Sequence, residues 1–218
     1  MTLSVAVANA VFDVTGAAAE TDGSNYADYS LSDTAANLAN ANAGLVNFAQ
    51  AVTATGDPAT YAEAGTLSGR TTMGTAVQYN VEVAAADGLA AGAALNSAVN
   101  ITTSDAQDIA DAIVLNGATN SGSTSYAISG VSTTFTSAVV TTQASISAAV
   151  EAATGTVTAT GNTSFADAAV IAGLTKAVVF SVSDDETSLA GLDPTSLNEA
   201  VAVTVTKNAT ALTTVHAA

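Results

Sequence analysis

Short alternating segments headed by an aromatic residue recur along the chain. They read Tyr29-Ser30-Leu31-Ser32-Asp33, Tyr79-Asn80-Val81-Glu82-Val83, Tyr126-Ala127-Ile128-Ser129-Gly130 and Phe180-Ser181-Val182-Ser183-Asp184, with their first residues 50, 47 and 54 positions apart. Apolar side chains at every second position fall on one face of an extended chain, so each segment predicts a half-buried strand. Between them, Val/Thr strands run into turns at 52–56, 99–103, 157–161 and 203–207, and 139–143 reads as an irregular fifth copy. Taken together, a strand returns roughly every 20–27 residues, within the period range of stacked repeats.

After the strands the apolar spacing becomes helical. Ala106, Ile109, Ala110 and Ile113 fall at i, i+3, i+4 and i+7, and Ile146, Ala149, Val150 and Ala153 repeat that spacing. Ser104-Asp105, Asp57 before Pro58, and Asp33 before Thr34-Ala35-Ala36 each read as a helix start. The unit is a strand, a tight turn and a short Ala-rich helix, and strands joined by helical returns lie parallel. The pattern predicts a β/α repeat, a solenoid-like stack of short parallel strands with small Ala-rich helices. The alternative is an all-β sandwich, because Thr/Val strands with Gly/Asp turns suit that fold as well. Residues 1–25 match the repeat poorly and read as an N-terminal arm or cap. Residues 26–218 form the repeat domain, about four units of 47–54 residues.

Composition narrows the chemistry. The 218 residues carry 3 Lys+Arg against 19 Asp+Glu, a net charge of −16, with no Cys, no Trp and one His. Arg70, Lys176 and Lys207 are scattered, so the chain offers no cationic surface for phosphate and no nucleic-acid partner is expected. Absent cysteines exclude disulfides, thiolate-held zinc and iron–sulfur clusters. The start lacks a basic segment ahead of its short apolar stretch, and no run of about 18 apolar residues occurs, so neither a secretory signal nor membrane insertion is expected.

Candidate chemistry is sparse. His216 lies near the end of the chain, far from the buried, oriented place a catalytic triad needs. The run Asp184-Asp185-Glu186 follows a strand and precedes a predicted helix, which suits capping better than acid–base work. Enzyme activity and a resident cofactor are therefore not expected. Calcium is the one metal worth weighing. Asp33, Asp57, Asp105 and Asp184 return at the same turn, and hard oxygens from several acidic turns suit that ion. The same four positions are also where helix caps belong. Neither an EF-hand loop nor the glycine-rich calcium nonapeptide occurs. Asn-x-Ser/Thr triplets begin at Asn100, Asn162 and Asn208 and read as chance in a Thr-rich chain. Tyr29, Tyr79, Tyr126 and Phe180 present two readings, an exposed ladder for carbohydrate stacking or a buried core row, and the second is favoured.

The stretch Tyr29-Ser30-Leu31-Ser32-Asp33-Thr34-Ala35-Ala36-Asn37-Leu38 resembles the Ala/Thr-rich units repeated in very large surface or adhesin-like proteins of bacteria, cyanobacteria among them. The Val-Thr-Ala-Thr-Gly segments look like the other half of that unit. The resemblance implies a non-catalytic extracellular or cell-surface structural protein that self-assembles or mediates adhesion, with itself or other structural subunits as partners. Related repeats also suit virion proteins of marine phages. The alternative it implies is a capsid decoration or tail-associated component.

Overall fold

Strand and helix alternate along the chain in the computed structural model, which describes residues 1–12, 29–136, 143–185, 188 and 198–206. Two compact units are present. The first comprises Met1–Ser104 and Gly117–Thr124, the second Asp105–Asn116 and Ser125–Ala218.

The first unit opens with β1 (Thr2–Leu3), α1 (Val5–Phe12), β2 (Ser30–Asp33), α2 (Ala35–Asn40), α3 (Ala43–Asn47) and β3 (Ala51–Ala54). It continues with β4 (Ala59–Thr60), α4 (Tyr61–Ser68), β5 (Val81–Val83), α5 (Ala93–Asn96), β6 (Ile101–Thr103) and, after the chain returns, β7 (Thr124–Ser125), whose first residue is the last of this unit. The strands order as β1-β2-β3 and β4-β5-β6-β7. A parallel bridge between Thr53 and Gln78 links the first sheet to the strand region that follows. The second unit contains α6 (Ile109–Asn116), β8 (Ile128–Val131), α7 (Ser132–Thr136), α8 (Gln143–Ala152), β9 (Val157–Thr163), α9 (Phe165–Ala172), β10 (Val179–Asp185) and β11 (Ala202–Thr206). Its sheet runs β11-β10-β9-β8.

Pairing is parallel along both units, with Leu31 opposite Val52, Val81 opposite Ile101, Ile128 opposite Val157 and Val182 opposite Val203. A parallel neighbour needs a crossover, and short helices supply it from β1 to β2, β2 to β3, β4 to β5, β5 to β6, β8 to β9 and β9 to β10. The fold is of the α/β class. The sandwich alternative is overturned, since sandwiches are built from antiparallel strands joined by turns.

All four aromatic leaders hold one backbone position. The carbonyls of Tyr29, Tyr79, Tyr126 and Phe180 accept the N–H groups of Gln50, Val99, Gly155 and Val201 at 2.8, 2.7, 2.9 and 2.9 Å. Each bond ties an aromatic leader to the entry of a later strand turn. The two Val-Thr-Ala-Thr-Gly segments also agree in conformation. Both end in a left-handed glycine, Gly56 at φ +83° and Gly161 at φ +78°, where a side chain would be strained.

The core of each unit is a strand row facing a helix row. In the first, Leu31, Val52, Val81 and Ile101 face Leu38, Leu45, Leu67 and Leu95, all buried. In the second, Ile128, Val157 and Val182 face Phe135, Ile146, Phe165 and Ile171. The predicted face Ile146, Ala149, Val150 and Ala153 is buried as read. The face on α6 differs. Its buried residues are Ile109, Asp111, Ala112 and Leu115, while Ala110 is exposed and Ala106 and Ile113 are half-buried. The helix begins only at Ile109, because Gln107 still pairs as extended chain with Ile128. Residues 1–12 form β1 and α1, and the rest of the segment read as an arm lies outside the described residues, as do 139–142 and 207–218.

Candidate functional site

The side chains with chemistry to offer are mostly found at the joins between one strand turn and the next. Asp33 ends β2. Its Oδ2 accepts the N–H of Val5, the first residue of α1, at 2.9 Å. Its Oδ1 accepts the Thr34 N–H and the Asn37 carboxamide, each at 2.8 Å. Asp184, on β10, repeats the arrangement. Its Oδ2 accepts the N–H of Phe165, the first residue of α9, at 3.1 Å, and its Oδ1 accepts the Asp185 N–H at 2.8 Å.

β2 lies beside β1 and β10 beside β9. Each carboxylate therefore caps the helix that leaves the neighbouring strand, satisfying a first-turn N–H that no helical carbonyl can reach. The following residue caps locally. Thr34 Oγ1 accepts the Asn37 N–H at 3.2 Å, and Asp185 Oδ1 accepts the Ser188 N–H at 2.8 Å. These bonds stabilise the ionised forms. The Asn37 carboxamide, followed by the Thr34 and Val5 N–H groups, holds the Asp33 carboxyl below its ordinary value against the opposing effect of burial. The Phe165 N–H, then that of Asp185, does the same for Asp184.

The other two acids sit differently. Asp57 is exposed in the turn ahead of β4, and that strand separates it from α4. The cap of α4 is Thr60, in a capping box with Glu63. Asp105 accepts the Gln107 carboxamide through its carbonyl at 3.0 Å and its Oδ1 at 3.1 Å, and α6 is capped by Asp108, whose Oδ1 accepts the Asp111 N–H at 2.9 Å. Among the described residues, no group of three or more His, Asp and Glu side chains is placed to hold a metal ion.

Two of the three cations close helix C-termini. Arg70, beyond α4, donates to the carbonyls of Ala39 and Ala41 at the end of α2, at 2.7 and 2.9 Å. Lys176, beyond α9, donates to the carbonyl of Ala153 at the end of α8. Positive charge is favourable there, where the last carbonyls lack helical partners. Lys207, His216, Glu186 and Asn208 lie outside the described residues.

The aromatic row is buried, with Tyr29, Tyr79, Tyr126 and Phe180 each 2–3% exposed, so the exposed stacking ladder is overturned. Each tyrosine hydroxyl meets a carbonyl of a later helix, Leu45 in α3 at 2.5 Å, Ala94 in α5 at 2.9 Å and Ala149 in α8 at 2.8 Å. Burial pushes the Tyr79 hydroxyl up and that of Tyr126 up to about 12. A polar ladder crosses the strand entries. Asn80 Oδ1 accepts from Asn100 Nδ2 at 3.0 Å, and Asn100 Oδ1 accepts the N–H and hydroxyl of Ser123 at 2.9 and 3.0 Å. Asn100, the first triplet asparagine, is thus bonded on both sides.

A shallow cleft of about 430 Å³ lies between α1 and α2, bordered by Asn9, Asn37, Asn40 and Asn42 over Val5 and Ala41. None of its lining side chains is charged, so it presents no titratable pair for proton transfer. Sequence reasoning found the acids but not the direction of their bonds, and it passed over both cations and the asparagine ladder. Asn80 and Asn100 each stand one place before a strand, which is the signal that identifies them. Comparison of the chain with family models, with curated proteins and with solved structures finds no match.

Proposed function

We propose that this chain is a non-catalytic structural protein of an extracellular or cell-surface layer, that it acts by self-assembly or adhesion, and that each unit is a segment of a β/α solenoid. The observation that carries the reading is the use of charge. Asp33, Asp184, Arg70 and Lys176 all bind backbone groups of a neighbouring turn of chain. A site for catalysis needs such groups turned toward a ligand. Here their hydrogen-bonding capacity holds successive turns together, as a protein working through its own continuity requires.

The reading includes no nucleic-acid partner and no cofactor. The engagement of Arg70 and Lys176 at helix ends supports the first. The N–H donors around Asp33 and Asp184 support the second, because they occupy oxygens that calcium would need. Among the described residues, no helix is long and apolar enough to cross a membrane. Negative-stain microscopy of the purified chain in saline buffer tests the reading. Sheets or filaments are expected. Closed particles would move the chain to a virion component, and isolated monomers at every concentration would overturn assembly.

A further inference from the structure

The self-assembly proposed above needs surfaces that meet, and two strand edges offer them. β11 is the outer strand of its sheet among the described residues, and β1 is the outer strand of its own. An outer strand presents a row of backbone donors and acceptors that another strand can pair. β11 also carries an apolar row with too little cover. Val203 stands opposite Val182, yet Val203 is 43% exposed where Val182 is 1% exposed. Val201 and Val205 extend the same face at 70% and 42%. Beside β1, Met1 and Val7 are 68% and 48% exposed.

These five side chains are the majority of the nine large apolar side chains exposed among the described residues. In a chain of net charge −16, residues 1–12 and 200–206 also lack charged side chains of their own, as do longer stretches such as 34–56 and 112–150. Copies of so acidic a chain repel one another, and the repulsion is least where neither surface carries an acid. Strand sense matches as well, because β1–β2 and β10–β11 are both parallel pairs.

We propose that β11 of one copy pairs in parallel with β1 of a second copy. The sheet then continues across the contact, with Val203 and Leu3 on the same face. That face is fixed on each side, since Val203 pairs with Val182 and Leu3 with Leu31, both buried. The contact joins unlike surfaces. Each added copy leaves a new β11 open, so assembly proceeds by addition until it closes or stops.

The chain has no cysteine, which gives a clean test. Copies carrying Leu3→Cys are mixed with copies carrying Val203→Cys, oxidised, and run without reductant, then repeated with a flexible bismaleimide. Thr2→Cys with Thr204→Cys, an exposed pair on the opposite face, guards against loss of packing at Leu3. A covalent dimer several-fold more abundant in either mixture than in its separate components is expected. Dimers from Val203→Cys alone would overturn the proposal by showing β11 against β11. Protection of Val203→Cys from maleimide in a monomer, lost when residues 207–218 are removed, would overturn it in favour of the chain's own C-terminal residues. Assembly by light scattering without any adduct would overturn this contact and leave self-assembly standing, whereas no adduct and no assembly would remove both.

Discussion

At the residue scale, Asp33 and Asp184 act as ionised acceptors for backbone donors of the adjoining strand turn, and this sets a pH dependence. Their carboxyls are held below the ordinary value of 3.8 in the folded chain. The stability they contribute is present above the unfolded value and is lost as pH falls through the lower folded value. Melting temperature should therefore hold from neutral pH down to about 4 and fall below it. Asp33→Ala should cost about 1 kcal/mol at neutral pH, as loss of a helix cap does, and should flatten part of that acid limb. Tyr126 has the opposite sign. Its hydroxyl is pushed up to about 12 by burial, so the contribution of the neutral form is full below about pH 10 and is lost as pH rises toward that value. Thermal melts followed by circular dichroism across pH measure both limbs. A flat response below pH 4 in the unmodified chain, identical in the Asp33 variant, would contradict the assignment.

At the scale of elements, close approach between strand turns matters more than helix propensity. A Cβ on Gly122 would collide with the Val99 carbonyl and the Asn100 side chain, whereas one on Gly65, inside α4, would meet nothing within 4 Å. Gly122→Ala should cost about 1–3 kcal/mol by overpacking. Gly65→Ala should gain up to about 1 kcal/mol, because alanine is the better helix former. Urea unfolding of the two variants separates these effects. Equal shifts would show that Gly122 does not lie against the preceding turn.

The same elements show how far the sequence could be read. The aromatic-led strands were legible because their alternation is local, and the bonds of Tyr29, Tyr79, Tyr126 and Phe180 bring all four to one position. The face of α8 was legible for the same reason. Caps were not. Asp57 lost its helix to the intervening β4, and Asp105 lost its to Asp108, since an acid before an apolar run does not reveal how much extended chain lies between. The reach of Asp33 back to Val5 spans 28 residues, and that of Arg70 to Ala41 spans 29. Such bonds depend on which strand lies beside which, and no local pattern encodes that.

At the scale of the whole molecule, −16 charges on 218 residues oppose every contact between copies. The uncharged β1 and β11 regions favour contact. Salt decides between these effects, because screening shortens from about 30 Å at 0.01 M to about 3 Å at 1 M and weakens the repulsion while leaving apolar burial in place. A partner interface built on opposite charges would respond in the opposite sense. The most direct measurement is molar mass by light scattering of the full chain as salt is raised from about 0.01 M to about 1 M. The account predicts a monomer at the low end and a mass that grows with salt. A mass equal to one chain throughout, or one that falls as salt rises, would contradict it.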